Sequence, residues 1–225
     1  MLERILLKYF IRHDYPVLSP NDTVAKALSA MEVWKVKNLP VVERGEYISL
    51  AAEADLSQHA SSASVSETLN PSGQPPCIGA GGHIFEALRV MSQNRTSVLP
   101  VVNEKGRYKG LITQDAVLYT MSDLLPFDGD ASLLVIEMPK RDQSLSALVH
   151  LVENNNAHVL YYTTRPLVSG ENILAYLIID LADPSPVMMS LERFNYKLIY
   201  HSSRQDAYSL ATADRWEELM HYLNI

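Results

Sequence analysis

The apolar positions of this 225-residue chain fall into short, punctuated segments. Val24, Ala27, Leu28 and Met31 recur at three- and four-residue steps, which marks one face of a helix. Ile84, Ala87, Leu88 and Met91 repeat the same spacing. After each helix comes a short apolar strand, Leu39 to Val42 or Val98 to Val102. A turn with Gly45 or Gly106 follows, then a second strand, Tyr47 to Ala51 or Tyr108 to Ile112. A short closing helix runs on from Asp55 or Asp115. Thr23 or Asn21 is expected to cap the first helix, and Gly82 to open the second. At the N-terminus, Leu2, Ile5, Leu6, Tyr9 and Phe10 predict an amphipathic helix that serves packing or dimerisation.

The two segments are copies. Ala27-Leu28 returns as Ala87-Leu88, Met31 as Met91, and Leu39-Pro40-Val41-Val42 as Leu99-Pro100-Val101-Val102, all at an offset of 60 residues. A repeat of this length implies a duplicated unit that packs on its copy. Between the copies, residues 57–76 are rich in Ser, Pro and Gly and read as a surface connection, with one short helix around Val65 to Leu69. Cys77 to Ala80 is expected to lead into the second copy as a strand.

From Ala131 the texture changes. Leu133 to Met138 is a strongly apolar strand. A helix follows with Leu145, Leu148, Val149 and Val152 on one face, capped by Ser144 or Asp142. Strands are expected at His158 to Thr163, Ile173 to Ile179 and Tyr196 to His201, with a helix from Val187 to Phe194 before the last. The order strand-helix-strand-strand-helix-strand is the ferredoxin-like unit. A final helix is expected from Asp214 to Leu223. The chain therefore reads as α/β (α+β), with a duplicated domain over 1–125 (copies 1–60 and 61–125) and a second domain over 131–225.

Composition narrows the function. The net charge of -7 argues against nucleic-acid binding, which calls for a basic surface. The single cysteine, Cys77, rules out an intramolecular disulfide and fits a reducing, cytoplasmic setting; it reads as a small buried apolar residue. The N-terminal stretch is broken by Glu3, Arg4 and Lys8 and lacks the form of a signal peptide. No apolar run approaches the roughly 18 residues of a membrane span. The seven histidines show neither HExxH spacing nor a second cysteine nearby, so no metal site is expected. His13-Asp14 reads as a helix end rather than an acid–base pair. With no nucleophile elbow or phosphate-binding loop either, an enzyme is not expected.

The doubled order of helix, LPVV strand, turn, strand ending in Gly110-Leu111-Ile112-Thr113, helix resembles the CBS domain over about residues 15–122. Two in tandem form a CBS pair, or Bateman module. The unit after it looks like an ACT domain, and the whole is similar to a group of bacterial CBS–ACT proteins. The resemblance implies a regulatory protein that binds an adenosine ligand (AMP, ADP, ATP or S-adenosylmethionine) in a cleft between the copies. It also implies a flat homodimer acting on a partner protein, with no cofactor required. In this family a Thr and an Asp, spaced as G-apolar-apolar-Thr-x-x-Asp, hold phosphate and ribose. Here the second copy keeps Gly110 and Thr113 but has Ala116 at the Asp position, with Asp115 one residue early. The first copy keeps Asp55 but has Ser49 for Gly and Ala52 for Thr. The resemblance further places Lys37, Arg95, Pro40, Pro100, Ile78 and Gly79 about the cleft, with Lys35 at the position matching Arg95. ACT domains that bind amino acids usually carry a glycine before their first helix, and residues 139–144 hold none. The alternative is a ligand-free assembly module that acts on a partner protein.

Overall fold

A computed structural model describes residues 6–69, 73–126, 130–168 and 170–203. The chain divides into two compact units, 1–124 and 125–225.

The first unit holds both copies. In the first, α1 (Val24–Trp34) leads to the antiparallel pair β1 (Asn38–Glu43) and β2 (Glu46–Ala52), closed by α2 (Glu53–Leu56). The connection carries α3 (Val65–Thr68). In the second copy β3 (Ile78–Gly79) precedes α4 (Ile84–Asn94), β4 (Val98–Val102), β5 (Tyr108–Thr113) and α5 (Gln114–Leu124). Their sheet runs β3-β4-β5, with β3 parallel to β4 and β5 antiparallel to it.

The helices form where the apolar spacing places them, and local chemistry fixes their ends. The Thr23 hydroxyl accepts from the Lys26 amide and caps α1. At α4 the cap is His83, not Gly82: its ring accepts from the Phe85 amide while Glu86 reaches back to the His83 amide in a reciprocal box. Lys35 and Arg95 end α1 and α4 in the same left-handed conformation, φ 52° in each, so the repeat holds even at the helix stops. Val24, Ala27 and Met31 are buried, as are Ile84, Ala87 and Met91. Leu88, expected on that face, is instead 41% exposed.

The two copies share their cores. Val98 and Leu111 of the second copy pack into the apolar cluster of the first. Their hairpin tips pair: the Tyr47 amide donates to the Gly106 carbonyl at 3.2 Å and the Tyr108 amide to the Gly45 carbonyl at 3.1 Å. The left-handed φ of Gly45 (82°) and Gly106 (73°) makes those tips possible. At the other end of the strands, the Lys37 amide donates to Ser97 Oγ (2.9 Å), and the Ser97 amide donates to Asn38 Oδ1 (3.0 Å).

Two sequence expectations fail here. The N-terminal helix is replaced, from residue 6 on, by an isolated bridge of Leu6 to His83 and one 3-10 turn at Leu7–Tyr9; residues 2 and 5 lie outside the described residues. Leu7 anchors this segment in the second copy's core, with Phe10 and Ile11 packed half-buried against the same cluster. Cys77 is exposed, not buried, because it immediately precedes the two-residue strand β3 and only Ile78 turns inward.

The second unit has the order β6 (Ser132–Pro139), α6 (Leu145–Glu153), β7 (Val159–Pro166), β8 (Asn172–Ile179), α7 (Ser185–Arg193) and β9 (Lys197–Ser202). Its sheet runs β7-β8-β6-β9 with every neighbouring pair antiparallel, the ferredoxin-like arrangement. Ser144 caps α6, and Leu148, Leu151 and Val152 face the sheet, whereas Leu145 is 45% exposed. The helix expected at 214–223 lies outside the described residues.

Candidate functional site

Two grooves open on the first unit. The narrower, about 310 Å³, is lined from the first copy by Asn38, the end of β2 (Ser49 to Ala52) and Asp55. The connection contributes Thr68, Leu69 and Gly73 to Pro76, and the second copy adds Asn94 and Thr96. Its volume lies at the lower end of the roughly 300–1,000 Å³ of small-molecule sites. Both copies and their linker therefore meet in one place.

Each part of this wall has a local cause. Asp55 stands on α2, whose start is set by the Glu53 amide donating to the Lys37 carbonyl at 2.9 Å. The connection is held in place by Tyr47, whose hydroxyl donates to the Pro76 carbonyl at 2.9 Å, and burial pushes that phenol far up. Asn38 is buried and accepts from Ser97 at the junction of the copies. Thr96 is only 7% exposed, and its hydroxyl has no hydrogen-bond partner among the described residues. Leaving a buried hydroxyl unpaired costs about 1–3 kcal/mol.

The corresponding place in the other half differs in chemistry. By the repeat, Asn38 corresponds to Val98, Ser49 to Gly110, Asp55 to Ala116, Asn94 to Trp34 and Thr96 to Val36. Five polar or amide-bearing positions become apolar or lose their side chain; Ala52, opposite Thr113, and Gly73, opposite His13, go the other way. Trp34 lies against Tyr15, ring centroids 4.8 Å apart. The N-terminal segment binds the edge there: the Arg12 amide donates to the Leu111 carbonyl (2.7 Å) and the Leu111 amide to the Arg12 carbonyl (3.0 Å). Arg12 is braced by Asp14 at 2.8 Å and lies 5.5 Å over the Tyr15 ring. The Arg12 guanidinium holds the Asp14 carboxyl below its usual range. His13 and Asp14 thus belong to a strap across β5, not to a helix end.

The residues picked from the sequence scatter accordingly. Asp55 lines the narrow groove. Ile78 and Gly79 line the other, wider groove of about 1160 Å³, together with Lys105, Arg107 and Lys109. Pro40 and Pro100 are buried within β1 and β4. Lys37 is exposed beside Asn38, Arg95 is exposed at the end of α4, and Asp115 is exposed on α5. The Thr113 hydroxyl accepts from the Ala116 amide at 3.2 Å and so serves the start of α5. Asn38, Asn94 and Thr96 were not singled out from the sequence. The signal for Asn38 and Thr96 was present all the same: each is polar where its copy has valine.

Among the described residues, no group of three or more His, Cys, Asp or Glu side chains is placed to hold a metal ion, and no helix is long and apolar enough to cross a membrane.

Comparison with known proteins agrees with the repeat. The chain is 28% identical over 107 residues to inosine-5'-monophosphate dehydrogenase of Methanocaldococcus jannaschii, covering 47% of this chain and 21% of that protein. It is also 28% identical over 113 residues to the Korarchaeum cryptofilum enzyme, of which it spans 24%. The chain thus spans about a quarter or less of the length of these curated relatives. Among solved structures, a CBS domain pair/ACT domain protein from Thermotoga maritima is similar at 23% identity and a TM-score of 0.49, covering 54% of this chain and 99% of that one. The CBS domain model itself matches twice, over residues 7–61 and 65–123, which is just over half of the sequence. The duplication read from the helix and strand spacing is therefore a tandem CBS pair, and the chain belongs to the CBS domain family.

Proposed function

We propose that the chain is a regulatory sensor, not an enzyme, and that it binds one adenine nucleotide, in the groove at Asp55. The observation that carries this reading is the difference between the two halves. One groove has a polar lining of Asn38, Ser49, Asp55, Asn94 and Thr96, whereas the matching positions are Val98, Gly110, Ala116, Trp34 and Val36. Leu50, Ala51, Pro75 and Pro76 offer an apolar bed for a purine. Asp55 offers a carboxylate to ribose hydroxyls, the charge-assisted kind of hydrogen bond. Lys37 and Arg95 are the nearest cations in sequence to Asn38 and Thr96, and phosphate contacts are assigned to them.

A ligand there touches β2 of the first copy and the end of α4 of the second. It favours whichever arrangement of the copies holds those walls together, and its effect is limited by its differential affinity for the two states, typically 1–3 kcal/mol. The output passes to another protein, with the chain acting as a cytoplasmic homodimer. The apolar side chains exposed on α4 and α5, Phe85, Leu88, Leu118 and Tyr119, support such an interface.

A second reading is an assembly module without ligand. It is favoured by the split motif: Ala52 stands where the family has Thr, and the Thr113 hydroxyl is already engaged at α5. Thermal unfolding with AMP, ADP, ATP and S-adenosylmethionine separates the two. A ligand at 100 times its Kd adds about 2.7 kcal/mol of stability. A clear rise in Tm with at least one of the four is expected. No rise with any of them, at millimolar concentration, leaves the assembly reading.

A further inference from the structure

The partnerless hydroxyl of Thr96 is the feature of the groove that the family resemblance does not account for. In the other copy the same position is Val36, a side chain of nearly the same shape without the hydroxyl. Val36 is 9% exposed and sits in the apolar cluster of the first copy, so the fold itself is content with valine there. Thr96 is 7% exposed, follows the left-handed Arg95 that ends α4, and precedes the Ser97–Asn38 junction. Its neighbours take up their own hydrogen bonds: the Ser97 hydroxyl and amide both donate to Asn38 Oδ1, and the Asn94 side-chain amide donates to the Val90 carbonyl at 2.8 Å. Among the described residues nothing meets Thr96 Oγ1. A buried hydroxyl at a position where valine serves the fold equally well weakens the empty protein. It becomes favourable once a ligand in the groove supplies the missing partner.

We propose that Thr96 is a specificity-determining residue of the groove, its hydroxyl hydrogen-bonding a polar atom of the bound adenine nucleotide; this rests on the sensor reading above. Thr96 therefore acts in the direction opposite to a core residue. It lowers the stability of the free chain and raises that of the complex. It also makes the groove discriminate, because a ligand presenting only carbon at that point leaves the hydroxyl unpaired.

The test uses the full chain with AMP as probe and two variants, Thr96→Val and Thr96→Ser. Without AMP, T96V is expected to raise Tm by about 2–4 °C. With AMP, it is expected to bind about tenfold more weakly, ~1.4 kcal/mol. T96S keeps the hydroxyl and is expected to hold AMP within about threefold of the parent. That combination, stability up and affinity down with rescue by serine, is not produced by a purely structural threonine. If the parent binds AMP and T96V binds it equally well, the inference about Thr96 is overturned while the sensor reading stands. If T96V lowers Tm, the hydroxyl has a structural role and the inference is likewise overturned. If the parent chain binds none of AMP, ADP, ATP and S-adenosylmethionine, the sensor reading falls and this inference falls with it.

Discussion

Single side chains in this protein do their work mostly through backbone amides. Asp180 is the clearest case outside the groove. At the end of β8 it accepts from the His158 amide through one carboxylate oxygen and meets His158 Nδ1 at 2.8 Å through the other, tying the start of β7 to its neighbour. The amide hydrogen bond from His158 holds the Asp180 carboxyl below its ordinary value. A carboxyl whose folded pKa is depressed adds stability above its unfolded value, near 3.9, and loses it as the pH falls through the folded one. Asp180→Ala should therefore lower the Tm of the second unit at pH 7, and the difference from the parent should shrink as the pH falls below the ordinary carboxylate range. A gap in Tm that does not narrow at all as the solution is acidified would mean the carboxylate is not its source. The side chains are largely exposed, so the effect is a matter of a few degrees at most.

At the scale of elements, the strap of residues 11–13 is seated on β5 by the mutual backbone pairing of Arg12 and Leu111. Gly110 permits it. Its φ is 128°, and a Cβ there would lie 2.5 Å from Ile11 Cγ2 and 2.6 Å from the Arg12 carbonyl oxygen. Gly110→Ala should cost about 2 kcal/mol or more, from backbone strain and from the displaced strap. Amide exchange should then quicken at Arg12 and Leu111, the two residues whose mutual hydrogen bonds hold the strap; unchanged protection at both would show the strap is not seated by Gly110. The sequence exposed the glycine but not this reason for it, since the partner lies almost a hundred residues away. The regular elements were legible for the converse reason. The faces of α1, α4 and α6 and the four strands of the ferredoxin-like unit follow from local periodicity, which burial rewards directly. Where an irregular segment packs a few side chains, as with Leu7, Phe10 and Ile11, periodicity misleads: a helix is expected, and the described residues 6–10 hold one 3-10 turn. The same limit applies to the site. Asp55 carried a motif and was visible, whereas Asn38 and Thr96 gain meaning only when the two copies are laid over each other and found unequal.

For the molecule as a whole, duplication has produced two equivalent places and kept one of them polar. The copies are joined by shared core residues, by their hairpin tips and by the Ser97–Asn38 junction, so a ligand in the open groove acts on a unit that is already one body. At the matching place Trp34 and Tyr15 stand where the open groove has Asn94 and Pro75, their ring centroids 4.8 Å apart. Titration calorimetry of AMP against the full chain tests this account most directly. One molecule bound per chain, with binding lost in Asp55→Ala and unchanged in Asp115→Ala, is the predicted result. Two molecules per chain, or an Asp55→Ala variant that binds as the parent does, would contradict it.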